Sequence, residues 1–321
     1  MITFAWHKQQ NDRTMASILL CDSGGTKADW ALVDSKGEVL LRQKTAGLSP
    51  VILSDEEIEQ VLHTQLHLPC RPDAVHFYGS GVIPSVRERM ENVLSRTLGA
   101  MEVHAESDML GAARALYGRA QGMAAILGTG SNCCFYDGEN LIPGLPCLGY
   151  IIGDEGSGVE IGKRLIRLLF TCPDAFPLQR LFTEQTGLDL PTIINKVYRQ
   201  PFANRFLASL APFALQQMQA TDADLPDASL SVARSLLKKA VEGVFADFHD
   251  RIYTLYNIYR DKGVWQPQPD APQMPFGLIG SVAFHFRPYY EPLFLQDGCF
   301  RMQGVLGSPM AGLMAYHSVH P

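Results

Sequence analysis

The chain has 321 residues, of which 46% are hydrophobic and 19% charged, with a formal net charge of −6. That composition excludes a mainly disordered chain, because the apolar surface is ample to offset the entropy of ordering a core. The acidic balance offers no basic stripe for nucleic acid, and no run of about 18 apolar residues is present to span a bilayer as a helix.

At roughly 100–200 residues per domain the length predicts two domains. The seven cysteines (Cys21, Cys70, Cys133, Cys134, Cys147, Cys172 and Cys299) are odd in number and form no CxxC pair. They predict free buried thiols in a reducing cytoplasm rather than a zinc knuckle or a thioredoxin-type motif. The first 14 residues are polar and lack the apolar core of a signal peptide, so they are expected to be a disordered extension.

From residue 17 the pattern is strand, Gly-rich turn, strand, polar turn, strand: Ser17–Cys21, then Asp22-Ser-Gly-Gly-Thr-Lys27, Trp30–Val33, Asp34-Ser-Lys-Gly37 and Glu38–Leu41. Ser54-Asp-Glu-Glu57 reads as a capping box opening a helix to about Leu66. A strand over Ala74–Tyr78, a helix over Pro84–Leu98, a strand over Met101–His104 and a helix from Asp108 to Tyr117 follow. The pattern then restarts, with a strand over Met123–Leu127, the turn Gly128-Thr-Gly-Ser-Asn132 and a strand over Cys133–Tyr136. Thr26 and Thr129 are 103 positions apart, as are Asp34 and Asp137, which predicts a duplicated unit heading each half. The second half is mainly helical. An amphipathic helix is expected over Val159–Phe170, and a long one to Tyr259 that Asp227 would cap. A strand over Pro275–Ile279 and a closing helix over Pro309–His317 complete the reading.

Two turns carry the chemistry. Glycines after a strand let backbone N–H groups approach an anion, and Thr and Lys add donors. In Asp22-x-Gly-Gly-Thr-Lys27 these are Gly24, Gly25, Thr26 and Lys27, while Asp22 at the strand end can orient a hydrated cation. Alone, that segment fits a phosphate loop and an unliganded hairpin turn equally. The second turn at Gly128–Asn132 and the pair Gly280-Ser281 after a buried strand favour a polyphosphate gripped from two halves.

These three turns resemble the sugar kinase, Hsp70 and actin superfamily. With Gly149-Tyr-Ile-Ile-Gly-Asp-Glu-Gly-Ser157 and the Ser-Asp pair at Asp108, the chain resembles the N-acetylglucosamine kinase family, in the BadF/BadG/BcrA/BcrD-type ATPase group, from about Ile18 to His317. The resemblance implies an α/β fold of two ribonuclease-H-like, actin-like ATPase domains with a cleft between them. The domains are expected over 15–118 and 119–303, and the C-terminal helix within 304–321 is expected to pack back on the first. It implies ATP and Mg²⁺ as cofactors. Gly24, Gly25, Thr26, Lys27, Thr129, Gly280 and Ser281 would bind ATP, and Asp22 would hold the metal through water. Asp108 would be the general base. Ser49, Ser131, Asn132, Leu148, Gly149, Tyr150 and Asp154 would meet the sugar.

The residues also allow plainer roles. Asp108 could be a helix N-cap, and Asp154 with Glu155 could cap the helix from Val159. The sequence departs from the family where Ser49 stands in the place of a common Asn, and where Leu148 replaces a Trp of some relatives. The expected reaction is ATP-dependent phosphorylation of a free amino sugar, N-acetylglucosamine first. N-acetylmuramic acid or glucosamine is the near alternative, and an ATP-driven activator of a radical dehydratase the distant one. A sugar-sensing repressor is disfavoured because 14 residues cannot form a DNA-binding domain. No nucleic-acid or membrane partner is expected, and a homodimer stays open.

Overall fold

The computed structural model describes residues 17–220 and 228–319. The expected extension over 1–14 and the expected cap Asp227 lie outside the described residues. The chain divides into two compact units, one running to Glu106 and including the chain end from His317, the other covering Ser107–Tyr316.

In the first unit, β1 (Ser17–Ser23) pairs antiparallel with β2 (Lys27–Asp34), and β2 with β3 (Val39–Ala46). The β2–β3 turn forms because Asp34 Oδ1 accepts the N–H groups of Lys36 and Glu38 at 2.9 and 2.8 Å. Helix α1 (Asp55–Gln65) opens on the expected capping box, with Ser54 and Glu57 bonded reciprocally. Strand β4 (Ala74–Gly79) runs parallel to β1, α2 (Pro84–Leu98) starts on its proline, and β5 (Glu102–Ser107) ends the sheet. The strand order is β3-β2-β1-β4-β5.

The second unit begins with α3 (Asp108–Tyr117) and repeats the meander as β6 (Gly122–Leu127), β7 (Ser131–Tyr136) and β8 (Leu141–Ile142). A helical stretch follows: α4 (Gly149–Ile152), α5 (Gly158–Thr171), α6 (Phe176–Thr186), α7 (Leu190–Tyr198), α8 (Ala203–Ala208), α9 (Ala211–Gln219) and α10 (Ala228–Asp261). Strand β9 (Met274–Ile279) then pairs parallel with β6. Helices α11 (Ser281–His285) and α12 (Arg287–Gln296) lead to β10 (Phe300–Leu306), parallel to β9, and to α13 (Met310–Val319). The order β10-β9-β6-β7-β8 repeats the first sheet, so the duplication read from the two Gly-rich turns is a duplication of topology.

Alternation places the cores. Met123, Ala125, Leu127, Cys133 and Phe135 join the large core under α5 and α10, whereas Ala124, Cys134 and Tyr136 pack with α3 on the opposite face. The second sheet is thus covered on both sides, which is why β6 reads as a continuous apolar run. In the first unit Leu19, Cys21, Trp30 and Phe77 form the core with α1 and α2. His317 is buried and lies 2.9 Å from the Tyr78 hydroxyl. Strand β10 carries no sequence signal, because Arg301 and Gln303 interrupt it and its ladder shifts between Met302 and Gly304. Among the described residues no helix is long and apolar enough to cross a membrane.

Candidate active site

The turn after β1 holds Gly24, Gly25, Thr26 and Lys27, the last two exposed. It is braced by the loop carrying Ser49. Gly47 N–H donates to the Thr26 carbonyl at 3.1 Å, and Ser23 Oγ accepts the Leu48 N–H at 2.8 Å. A Cβ on Gly47 would stand 2.3 Å from the Gly24 oxygen, so only glycine permits this approach. Ser49 is 5% exposed, its hydroxyl against Gly81. Asp22 is half-buried and pairs across the hairpin with Asp29, which puts two carboxylates on one face beside the turn.

The turn Gly128-Thr-Gly130 is braced by a helix instead. Gly158 and Val159 N–H groups, in the first turn of α5, donate to the carbonyls of Gly128 and Thr129 at 2.9 and 3.2 Å. The positive end of a 14-residue helix therefore lies against the turn, a setting that favours an anion. The helix cap is Ser157, whose Oγ accepts the Glu160 N–H, so Asp154 and Glu155 are not the capping pair. Glu155 forms an ion pair with Arg251 at 3.7 Å.

Asp154 is thereby left for other work. Its φ of +64° turns the carboxyl onto the turn, where a Cβ on Gly130 would lie 2.7 Å from Asp154 Oδ2. Burial raises its pKa, and a bond from the Ser131 N–H opposes this. Asn132 Oδ1 accepts the Cys133 N–H at 2.7 Å and the Cys147 thiol at 2.8 Å, which leaves its Nδ2 as the outward donor. Cys147 is exposed rather than buried as expected, but partial desolvation of its sulfur still raises the thiol, opposed by Arg251 and aided by the charges of Asp154, Asp108 and Glu155, so these side chains form one neighbourhood. Leu148 and Gly149 are exposed at the start of α4, and Lys163 Nζ donates to the Tyr150 carbonyl at 3.0 Å.

Asp108 is the first residue of α3 and not its cap. Ser107 Oγ accepts the Leu110 N–H at 3.2 Å, while Asp108 Oδ1 accepts the Met109 N–H at 2.8 Å. Burial pushes the Asp108 carboxyl up to about 6, against that backbone bond. A carboxylate with that pKa is largely ionised at neutral pH and keeps useful basicity.

Beside Gly128 and Thr129 lies a cavity of about 610 Å³ that Gly158, Ser281, Val282 and Phe286 also line. Gly280 makes this possible. Its φ is +123° and a Cβ there would meet the Leu127 oxygen at 2.2 Å, so Ser281 is brought up against the end of β6. The opposite wall, from Ala208 through α9, has no motif in the sequence. Only the small apolar spacing of Ala211, Pro212 and Leu215 could have hinted at it. Among the described residues no group of three or more His, Cys, Asp or Glu side chains is placed to hold a metal by itself.

No family model and no curated protein sequence matches the chain. Among solved structures, a Porphyromonas gingivalis protein provisionally assigned as an N-acetylglucosamine kinase is 35% identical, with a TM-score of 0.77 over 94% of this chain and 99% of that one. The chain belongs to the N-acetylglucosamine kinase family. A Chromobacterium violaceum protein with the same provisional assignment is 19% identical, with a TM-score of 0.65 over 94% of this chain and 99% of the other. A ROK-family glucokinase from Streptomyces griseus, solved with glucose and AMPPNP, shares the fold at 14% identity and a TM-score of 0.50, over 95% and 98% of the two chains. Like its relatives, this N-acetylglucosamine kinase family member has the two-domain actin-like ATPase fold and is a sugar kinase, a phosphotransferase with an alcohol acceptor.

Proposed function

We propose that the chain transfers the γ-phosphoryl group of ATP to a hydroxyl of a free amino sugar, N-acetylglucosamine in the first place. One observation carries this reading. The turn Gly128-Thr-Gly130 borders an apolar slot on one side and the carboxylate neighbourhood of Asp154 on the other. That arrangement suits phosphoryl transfer, in which donor and acceptor must be held together where the transferred charge is stabilised.

In this reading the adenosine occupies the slot against Gly280 and Ser281, and its phosphates lie along Thr129 and the backbone of the turn. Gly24, Gly25, Thr26 and Lys27 supply the second phosphate grip. Asp154 and Asn132 Nδ2 bind sugar hydroxyls, Ser131 and Ser49 add hydroxyl contacts, and Leu148, Gly149 and Tyr150 wall the N-acyl group. Asp108 accepts the hydroxyl proton as the oxygen–phosphorus bond forms.

Magnesium fits the residues present. One or two carboxylates together with substrate phosphates are the usual way of holding this ion, and Asp22, with Asp29 opposite, offers them beside the first turn. When bound it would neutralise phosphate charge. The finer placement in the BadF/BadG/BcrA/BcrD-type group belongs to the same proposal. The test is a coupled ADP-release screen with magnesium across N-acetylglucosamine, glucosamine, N-acetylmannosamine, N-acetylmuramic acid and glucose. Turnover is expected with N-acetylglucosamine. Turnover with N-acetylmuramic acid or glucosamine alone would move the acceptor, and the absence of ADP release with any of these sugars would end the kinase reading.

A further inference from the structure

The slot beside the second turn is apolar where it is buried and polar only where it is wet. Ala211, Val282 and Phe286 are 4%, 6% and 2% exposed. The side chains able to read the edge of a base, Gln216, Gln219, Ser281 and His285, are all exposed, and none is tied by a side-chain hydrogen bond to another described residue. Among the described residues, no charged side chain lines the slot.

Base discrimination depends on where the reading groups sit. A site built on buried polar groups rejects a mismatched ligand by about 10⁴–10⁵-fold, because those groups are stranded unpaired, whereas an apolar pocket discriminates by only about 10–200-fold. An exposed amide that loses its partner turns to water at little cost. A free glutamine amide can also rotate to offer its N–H to a guanine or hypoxanthine O6, or its oxygen to the amino group of adenine.

We propose that the phosphoryl donor site is purine-tolerant, accepting guanine and hypoxanthine nucleoside triphosphates beside ATP. This rests on the reading of the slot as the nucleoside site. The chemical step is unchanged. The bond from the γ-phosphorus to its bridging oxygen breaks, the bond to the sugar oxygen forms, the hydroxyl proton passes to Asp108, and the nucleoside diphosphate leaves.

The test measures kcat/KM with ATP, GTP and ITP on N-acetylglucosamine, with the diphosphate product identified by chromatography. Thermal shifts with ADP, GDP and IDP accompany it. GTP and ITP are expected within about 200-fold of ATP, the limit for an apolar pocket, and all three diphosphates should raise the melting temperature. A larger preference for ATP, or a shift with ADP alone, overturns the inference while leaving the slot a nucleoside site. In the double variant Gln216→Ala/Gln219→Ala the ATP-to-GTP ratio should change by less than about tenfold, and a larger change would overturn it. No shift with any nucleotide would remove the slot reading itself, and this inference with it.

Discussion

The turns at 24–26 and 128–130 each join the first two strands of a meander, in sheets of the same strand order. What lies behind them differs. The first is braced by an irregular loop, through the bond from Gly47 to the Thr26 carbonyl and the Ser23 hydroxyl on Leu48. The second is braced by the first turn of α5, which brings a helix dipole with it. The shared Gly-rich pattern therefore specifies the shape of a turn and not its electrostatics. The second turn has a helix N-terminus behind it, a setting that favours an anion, whereas the first offers instead the exposed Thr26 and Lys27 side chains.

The largest effect should come from removing the proposed base, in the unit that holds the second turn. Asp108→Asn keeps the size of the side chain but cannot accept a proton, so kcat should fall about 10²–10⁴-fold. KM for ATP should stay nearly unchanged, as for an interaction made mainly in the transition state. Because burial raises this carboxyl to about 6, the ionised and active form is lost as pH drops through that value, giving the wild-type rate an acid limb near 6. Stability should respond in the opposite sense. A raised carboxyl pKa means that the folded state resists ionisation, so the variant should be as stable as the wild type or more so at pH 8, with the difference vanishing near pH 4. A variant that keeps more than about a tenth of the kcat would remove Asp108 from the chemistry.

The next test sets one brace against one turn glycine. Gly47→Ala places a Cβ 2.3 Å from the Gly24 oxygen, and the loop must shift at a cost of roughly 1–3 kcal/mol in urea denaturation. A Cβ on Gly128 meets nothing within 4 Å and the residue is not at positive φ, so Gly128→Ala should change stability by less than about 0.5 kcal/mol. Its cost should appear in KM for ATP, because the methyl group enters the space we propose for phosphate against the backbone. Equal loss of stability in the two variants would mean that Gly128 is only a turn residue. Ser157→Ala removes the cap of α5 and should cost about 1 kcal/mol, with a smaller rise in KM for ATP as the helix end behind the second turn frays.

Much of the fold was legible in the sequence where local physics decides the outcome. The span of α2 follows from a proline start and a glycine finish, and α1 from its capping box. The duplication was visible because two hairpins repeat the same turn chemistry at the same spacing. The identities of the caps were not. Ser107 and Ser157 compete with neighbouring aspartates that cap equally well in isolation, and only tertiary placement frees Asp108 and Asp154. The slot wall from α8 and α9 was missed for a different reason. Small apolar residues on a helix read as ordinary core until another element is seen to stand away from them. Strand β10 was hidden by its charged and polar residues, since β-propensity is set by packing more than by composition.

The smallest effect concerns the residue of each half that we propose to face the sugar. Ser49 is buried on its loop, whereas Asn132 is held on a strand with its amide oxygen occupied twice. A backbone N–H can only donate, so the bond from Cys133 fixes which end of the amide is oxygen, and the Cys147 thiol adds a second donor to it. A thiol keeps its proton at neutral pH in any case, and partial desolvation raises this one further, so the donor is preserved. Cys147→Ala removes one of the two bonds and leaves the other, so the amide loosens without being released. KM for the sugar should rise about 2–10-fold, the range of roughly 0.5–1.5 kcal/mol for one neutral hydrogen bond, with kcat and KM for ATP unchanged. Cys147→Ser keeps a donor and should recover most of the loss. In an Asn132→Ala background Cys147→Ala should have almost no further effect, because the group it orients is gone. If Cys147→Ala instead raises KM for ATP and spares the sugar, Asn132 faces the nucleotide, and the second turn has its donor side where Asp154 lies and its acceptor side at the slot.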